Sequence, residues 1–242
     1  MSSSPNRSAF DSFHRQSYVV LPRFLEPGER AALRGACDIA LAWSRANCAE
    51  TSHTTPRISL LTQASSFEQG AELLAPLLAF AGSTRVCALL EAVKLSNETG
   101  TPQLKDAHYY HEQTKRDWDG DWHRDSQFAR ADPDSERQLI TSSWSVHVRV
   151  AFEDDDRLEI VPASHARWDT AQELHIRRGG YRASNQMPNA TRISLRAGDA
   201  CVFHAWSIHR ATYRCAPIRR TLDLLYASTH PAKSRAETTS SV

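Results

Sequence analysis

The chain has 242 residues, 40% of them apolar and 24% charged, which suits one globular domain with a sizeable core. Its 29 Lys and Arg against 28 Asp and Glu leave a formal charge of +1, so no global field gathers nucleic acid or an anionic membrane. Five scattered cysteines, Cys37, Cys48, Cys87, Cys201 and Cys215, form no C-x-x-C pair and read as reduced thiols rather than a disulfide frame.

The Ser-rich start, residues 1–6, is followed by no apolar segment, so no secretory leader is expected. The most apolar run, residues 73–81, is short and contains Pro76, which argues against a membrane span. A soluble cytoplasmic protein is expected, with disordered ends at 1–9 and 229–242 and a single domain over 10–228. A short helical turn from Phe10 leads into a strand over 17–21. A helix over 26–46 follows, its buried stripe expected to be Ala32, Leu33, Ala36, Ile39, Ala40 and Trp43. Residues 47–67 are polar and irregular, a loop near the mouth of a site, and two more helices are expected over 69–81 and 83–93. Residues 10–95 therefore form a mostly helical support layer.

From about residue 103 the pattern changes. Segments 104–113, 139–152, 158–161, 192–195, 200–204 and 219–227 are short, β-rich and separated by turn signals such as Asp132-Pro133-Asp134, Gly179-Gly180 and Ala197-Gly198-Asp199. They predict a mainly β core over 103–228, a sandwich or closed jelly roll.

Within that core stands Trp122-His123-Arg124-Asp125. His123 and Asp125 are two apart, so on an extended strand they share a face. A neutral imidazole and a carboxylate are two of the three ligands of a two-His, one-carboxylate site, which leaves three positions open on six-coordinate iron(II). An H-x-D alone is common by chance. The third ligand must come from another strand: His209, after a Gly-Asp turn and a strand, is the better candidate. His204, inside the apolar strand, is its rival. Along Arg219-Arg220-Thr221-Leu222-Asp223-Leu224-Leu225-Tyr226, alternation sets Arg220 with Leu222, Leu224 and Tyr226, and Arg219 with Thr221 and Asp223. A guanidinium on a core face needs an anion, so a ligand carboxylate is an attractive partner for Arg220, against the plainer possibility of an internal salt bridge.

Taken together, these pieces resemble the phytanoyl-CoA dioxygenase family of iron(II)/2-oxoglutarate oxygenases. The likeness spans about residues 10–228. It runs through Ser17-Tyr18-Val19-Val20-Leu21-Pro22, Trp122-His123-Arg124-Asp125, the Pro162-Ala163-Ser164-His165 element, Ala197-Gly198-Asp199, Ile208-His209 and Arg219-Arg220. The resemblance implies a double-stranded β-helix, a jelly-roll fold shared with cupins. It implies His123, Asp125 and His209 as iron ligands, Arg220 as the anchor of the distal carboxylate of 2-oxoglutarate, and Lys115 and Gln113 as further cosubstrate contacts. Its reagents would be Fe(II), 2-oxoglutarate and O2, with succinate and CO2 released. Two departures stand out: Arg210-Ala211-Thr212 follows the distal histidine where the family often has Ser or Gly, and Ala163 replaces a glycine.

The presence of Asp125 favours hydroxylation over halogenation; epoxidation, desaturation and cyclisation remain open, as they differ in substrate pose. The expected partner is a small-molecule substrate, lined by 47–67, 126–138 and the long connection 165–190. Arg177 and Arg178 on that connection suggest an anionic or polyhydroxylated substrate, unless the loop is merely solvated. Rival readings are a cupin-like metal enzyme that does not use 2-oxoglutarate, and a non-catalytic binding module on the same fold.

Overall fold

Strand β5 (Ser145–Ala151) alternates valine with Ser, His and Arg, yet every residue in it is buried. Both faces of this strand are therefore covered, and the two sets of side chains must meet different surroundings. The structure, a computed structural model, describes residues 7–47, 57–61, 70–94, 101–111, 116–130, 132–179 and 186–228.

The helical first part holds α1 (Arg7–Gln16), β1 (Tyr18–Leu21), α2 (Pro27–Asn47), β2 (Arg57–Ser59), α3 (Gly70–Ala81) and α4 (Thr84–Val93). The stripe that α2 buries is Leu33, Cys37, Ala40, Leu41 and Ser44; Ile39, expected inside, is 52% exposed. The helix turns slightly from the expected face because Cys37 and Leu41 continue the i, i+4 ridge from Leu33. Ser83 caps α4, accepting from the Val86 N–H.

The β-rich part runs β3 (Pro102–Tyr110), β4 (Trp118–Asp119), the single-turn α5 (Ser126–Ala129), α6 (Pro133–Ser142), β5, β6 (Asp155–Ile160), a 3₁₀ turn at Ser164–Ala166, α7 (Ala171–Arg178), β7 (Thr191–Leu195), β8 (Ala200–His204), β9 (His209–Tyr213) and β10 (Thr221–Ser228). Segment 139–152, expected to be one strand, is divided between α6 and β5. Asp132-Pro133 is the start of α6 rather than a loop: the Asp132 carboxylate accepts from the Ser135 N–H at 2.9 Å, and proline needs no donor there. The connection 165–190 contains α7, closed at its start by a Thr170/Glu173 capping box. Strand β9 was not anticipated, its Arg-Ala-Thr centre carrying little β signal.

All described strand pairs are antiparallel. One sheet has the order β1-β8-β5-β10-β3-β2, and a smaller one β4-β9-β6-β7. The outer face of the larger sheet, with Val146, Val148, Val150, Leu222, Leu224, Tyr226 and Tyr109, packs in one core with Leu33, Leu77, Val86 and Leu90 of the helices. Its inner face, with Ala151, Cys201 and Phe203, meets Leu158, Ile160, Ile193 and Leu195 of the smaller sheet. Two antiparallel sheets closed face to face, with helices on one side, make the double-stranded β-helix. Among the described residues no single helix is long and apolar enough to cross a membrane.

Candidate metal centre

His123 and His209 meet as an isolated antiparallel bridge, each backbone N–H donating to the other's carbonyl at 3.0 and 2.9 Å. Asp125 is not on an extended strand. Its backbone is already helical (φ −63°, ψ −26°), it opens α5, and its N–H donates to Ala205 O at 3.1 Å. The carboxylate thus reaches the histidines by a turn rather than by strand alternation. Ligand atoms of His123, Asp125 and His209 all lie within 4.8 Å of one another, the one such His, Cys, Asp or Glu group among the described residues.

Local hydrogen bonds fix both imidazoles. The Nδ1 of His123 lies 2.8 Å from Asp121 O and that of His209 2.9 Å from Ser207 O. A carbonyl only accepts, so each Nδ1 carries the proton and each Nε2 keeps its lone pair toward Asp125. Burial, with His123 beside it, holds the His209 imidazole down at about 3, neutral and fit to ligate. Asp125 is ionised: burial opposes its charge, but the facing histidines, His147 through a hydrogen bond to Oδ2, outweigh that and hold it well below the usual carboxylate range. Two imidazoles anchored through Nδ1 and one carboxylate on a rigid frame suit a divalent first-row metal such as iron(II). His204 is elsewhere, its ring 5.0 Å from that of His165 and its Nδ1 accepting from the Trp206 N–H.

Behind Asp125 runs a buried polar row that the sequence reading missed. The Nε2 of His147 is 2.8 Å from Asp125 Oδ2, and its Nδ1 is 2.7 Å from Asp223 Oδ1. Asp223 Oδ2 accepts from Arg149 Nε at 3.0 Å and Nη2 at 2.6 Å. Burial works against charge on His147, but Asp223 and Asp125 prevail and push it up to about 10. The signal was available: His147 and Arg149 alternate with the valines of β5, as Thr221 and Asp223 do with the leucines of β10.

The two neighbouring arginines separate. Arg219, buried, lies over the Tyr110 ring at 4.5 Å, with Asp155 at 3.9 Å. Arg220 faces the helices, bonding His111 O, with its Nε 3.7 Å from Asp38 of α2. Arg220, the residue the sequence offers for the cosubstrate, is thus turned toward the helical layer, and Arg219 toward the interior. Alternation grouped the residues rightly, but the apolar set faces the helical layer and the polar set faces the interior shared with the metal cluster. Gln113 and Lys115 lie outside the described residues.

The connection 165–190 also differs from expectation. Arg177 is fully buried, with Nε and Nη2 on Asp169 at 2.8 and 2.6 Å and Nη1 3.0 Å from Glu136; Arg178 reaches Glu136 at 2.5 Å. Both arginines are tied to the carboxylates of the frame, Arg177 wholly inside it. Arg124, fully buried between the ligand residues, donates to Asp169 and to the carbonyls of Ser164, Arg167 and Trp206. This locks the metal motif to the chain entering β9. At the open side Phe128 is 73% exposed, its ring 5.3 Å from that of His123.

Residues 13–221 match the family model described as phytanoyl-CoA dioxygenase. No curated protein matches the chain by sequence. Among solved structures, HygX from Streptomyces hygroscopicus with nickel and 2-oxoglutarate superposes with a TM-score of 0.66 at 13% identity, over 94% of this chain and 88% of that one. EctD from S. alaskensis with 2-oxoglutarate and 5-hydroxyectoine gives 0.64 at 15%, over 93% and 76%. The epimerase SnoN with Fe3+, alpha-ketoglutarate and nogalamycin RO gives 0.61 at 17%, over 91% and 82%. At these identities the likeness shows the fold.

Proposed function

The chain belongs to the phytanoyl-CoA dioxygenase family of iron(II)/2-oxoglutarate oxygenases, and from that premise we propose that it hydroxylates an unactivated C–H bond of a small molecule. His123, Asp125 and His209 are the iron ligands in this reading, and Arg219 the anchor of the distal carboxylate of 2-oxoglutarate. The observation that carries it is the two-imidazole, one-carboxylate cluster with both Nε2 atoms left as acceptors.

Bound iron(II), with 2-oxoglutarate and O2, supplies the oxidising power, since decarboxylation to succinate and CO2 drives insertion of one oxygen atom into the substrate. The protein's own residues do the placing. Arg124 and Asp169 hold the chain segments carrying all three ligands in register, so the site is formed before substrate arrives. Arg219 places a buried cation beside Tyr110 and Tyr213, on the side of β10 that carries Thr221 and Asp223, where a carboxylate is the matching charge. Phe128 gives the open side an aromatic surface against which a small molecule can rest. The ligands given in the EctD and SnoN structures, 5-hydroxyectoine and nogalamycin RO, support a small-molecule natural product as the substrate class. Asp125 fills the position that a halide would need, which favours hydroxyl transfer.

Anaerobic titration of the iron(II) protein with 2-oxoglutarate tests this. A weak visible charge-transfer band is expected in wild type, lost in Asp125→Ala with its metal site and needing far more cosubstrate in Arg219→Ala. Iron bound with no band in wild type would overturn the cosubstrate assignment.

A further inference from the structure

The two oxygens of Asp125 face different partners. Oδ1 lies 3.5 Å from His123 Nε2 and 3.6 Å from His209 Nε2, on the ligand side. Oδ2 turns away, to His147 Nε2 at 2.8 Å. The His147 ring has little freedom to release it. Its other nitrogen is held by Asp223 at 2.7 Å, and its plane lies flat on Phe203, with centroids 4.5 Å and planes 4° apart. Asp223 is in turn gripped by Arg149. A ring fixed at both ends and across its face is a built device, more than one buried histidine needs for its own satisfaction.

We propose that His147 is a positioning residue that keeps Asp125 a one-oxygen metal ligand. The proposal rests on the reading of His123, Asp125 and His209 as the ligands. A six-coordinate ion with two imidazoles and one carboxylate oxygen keeps three positions, enough for a two-point cosubstrate and for O2. Were Asp125 to chelate through both oxygens, two would remain, and the cosubstrate alone would fill them. His147 occupies Oδ2 with a hydrogen bond and so preserves the third position. Partners of this kind orient a ligand, and their loss typically costs about 10- to 100-fold in metal affinity.

The test uses Co(II), which binds such sites and reports its coordination in the visible spectrum, without 2-oxoglutarate or turnover. His147→Phe keeps the stacking on Phe203 but has no donor; His147→Gln keeps one. Co(II) affinity is expected to fall about 10- to 100-fold in His147→Phe, with an altered spectrum, and to recover in large part in His147→Gln. Wild-type affinity and spectrum in a folded His147→Phe would overturn the proposal. Infrared difference spectra of the wild-type protein on adding Co(II) give a check that needs no variant. A wide separation of the carboxylate stretches marks one-oxygen ligation, and the narrow separation of a chelate overturns the proposal. If wild type does not bind Co(II) at all, the ligand assignment beneath it fails instead.

Discussion

Arg219 turns its guanidinium over the Tyr110 ring at 4.5 Å, while Arg220, the next residue, turns to the opposite side and meets Asp38 of α2 at 3.7 Å. One lies in the interior between the sheets and the other between sheet and helices, although both precede the same strand. Their substitution should separate accordingly. Arg219→Ala should weaken 2-oxoglutarate binding by about 1.5–3 kcal/mol, roughly 10- to 150-fold, the worth of a hydrogen bond to a charged group. Arg220→Ala should leave that affinity within about threefold, the estimate for a partly exposed ion pair. Calorimetric titration of the metal-loaded protein reads both. An equal loss in the two variants would return the cosubstrate to the outer arginine.

Asp169 receives both Arg124 and Arg177, and all three side chains are wholly buried. Removing the shared carboxylate takes from Arg124 its carboxylate partner and leaves Arg177 with Glu136, in a dry place. Asp169→Asn should cost about 3–5 kcal/mol, the usual penalty for breaking a buried pair from one side. For a chain of this size that lowers the melting temperature by about 6–20 °C. Because Arg124 ties the metal motif to the chain before β9, Co(II) affinity should fall with it. A melting temperature unchanged within about 2 °C would contradict the network's role.

Ala163 sits in the left-handed region (φ 60°, ψ 7°) at the start of the 3₁₀ turn, where a Cβ is strained. This is the place where the sequence departs from the glycine of the related element. Ala163→Gly should relieve the strain at some cost in chain entropy and stabilise the protein by about 0.5–1 kcal/mol net. Urea unfolding with an unchanged slope would measure it, and a loss of stability would show that the turn tolerates alanine.

Four histidines are held down by the fold. Burial, with nearby arginines, takes His111 and His165 to about 4; burial, then His123, takes His209 to about 3; burial takes His204 well below its usual value. Below pH of about 6.5 the unfolded chain binds protons that the folded chain refuses, so stability of the metal-free protein should fall between about pH 6.5 and 4. Each such proton contributes a slope of up to about 1.4 kcal/mol per pH unit. His147, raised to about 10 by its two carboxylates against the cost of burial, acts oppositely. Its contribution is complete below about pH 6.5 and is lost as pH rises through about 10. Melting temperature across pH 4 to 10 should therefore decline on both sides, and a flat acid limb would contradict the buried neutral histidines.

Much of the architecture was legible because it follows from local chemistry. Helices α2, α3 and α4 announce themselves by periodicity and by caps such as Ser83. The strands β1, β3, β8 and β10 carry alternation or apolar runs within a few residues of their observed bounds. Where the reading failed, two signals coincided. Asp132-Pro133 serves equally as a turn and as a helix start, and only the Ser135 hydrogen bond decides between them. The arginines of α7 look solvated in sequence because their partners, Glu136 and Asp169, belong to surfaces that meet only after folding.

By itself the sequence determined which residues share a face, since that depends only on the two-residue period of a strand and the turn of a helix. It also determined that His123, Asp125 and His209 stand at motif positions of a known family. Tertiary structure alone decided what each face looks upon. The apolar face of β10 meets helices, the polar face meets the cluster of His123, Asp125 and His209, and so Arg219 and Arg220 point to opposite sides. It alone decided that Asp125 reaches the histidines by a helical turn and that His147 waits behind it. Those facts depend on contacts between segments far apart in the chain, and no local period encodes them.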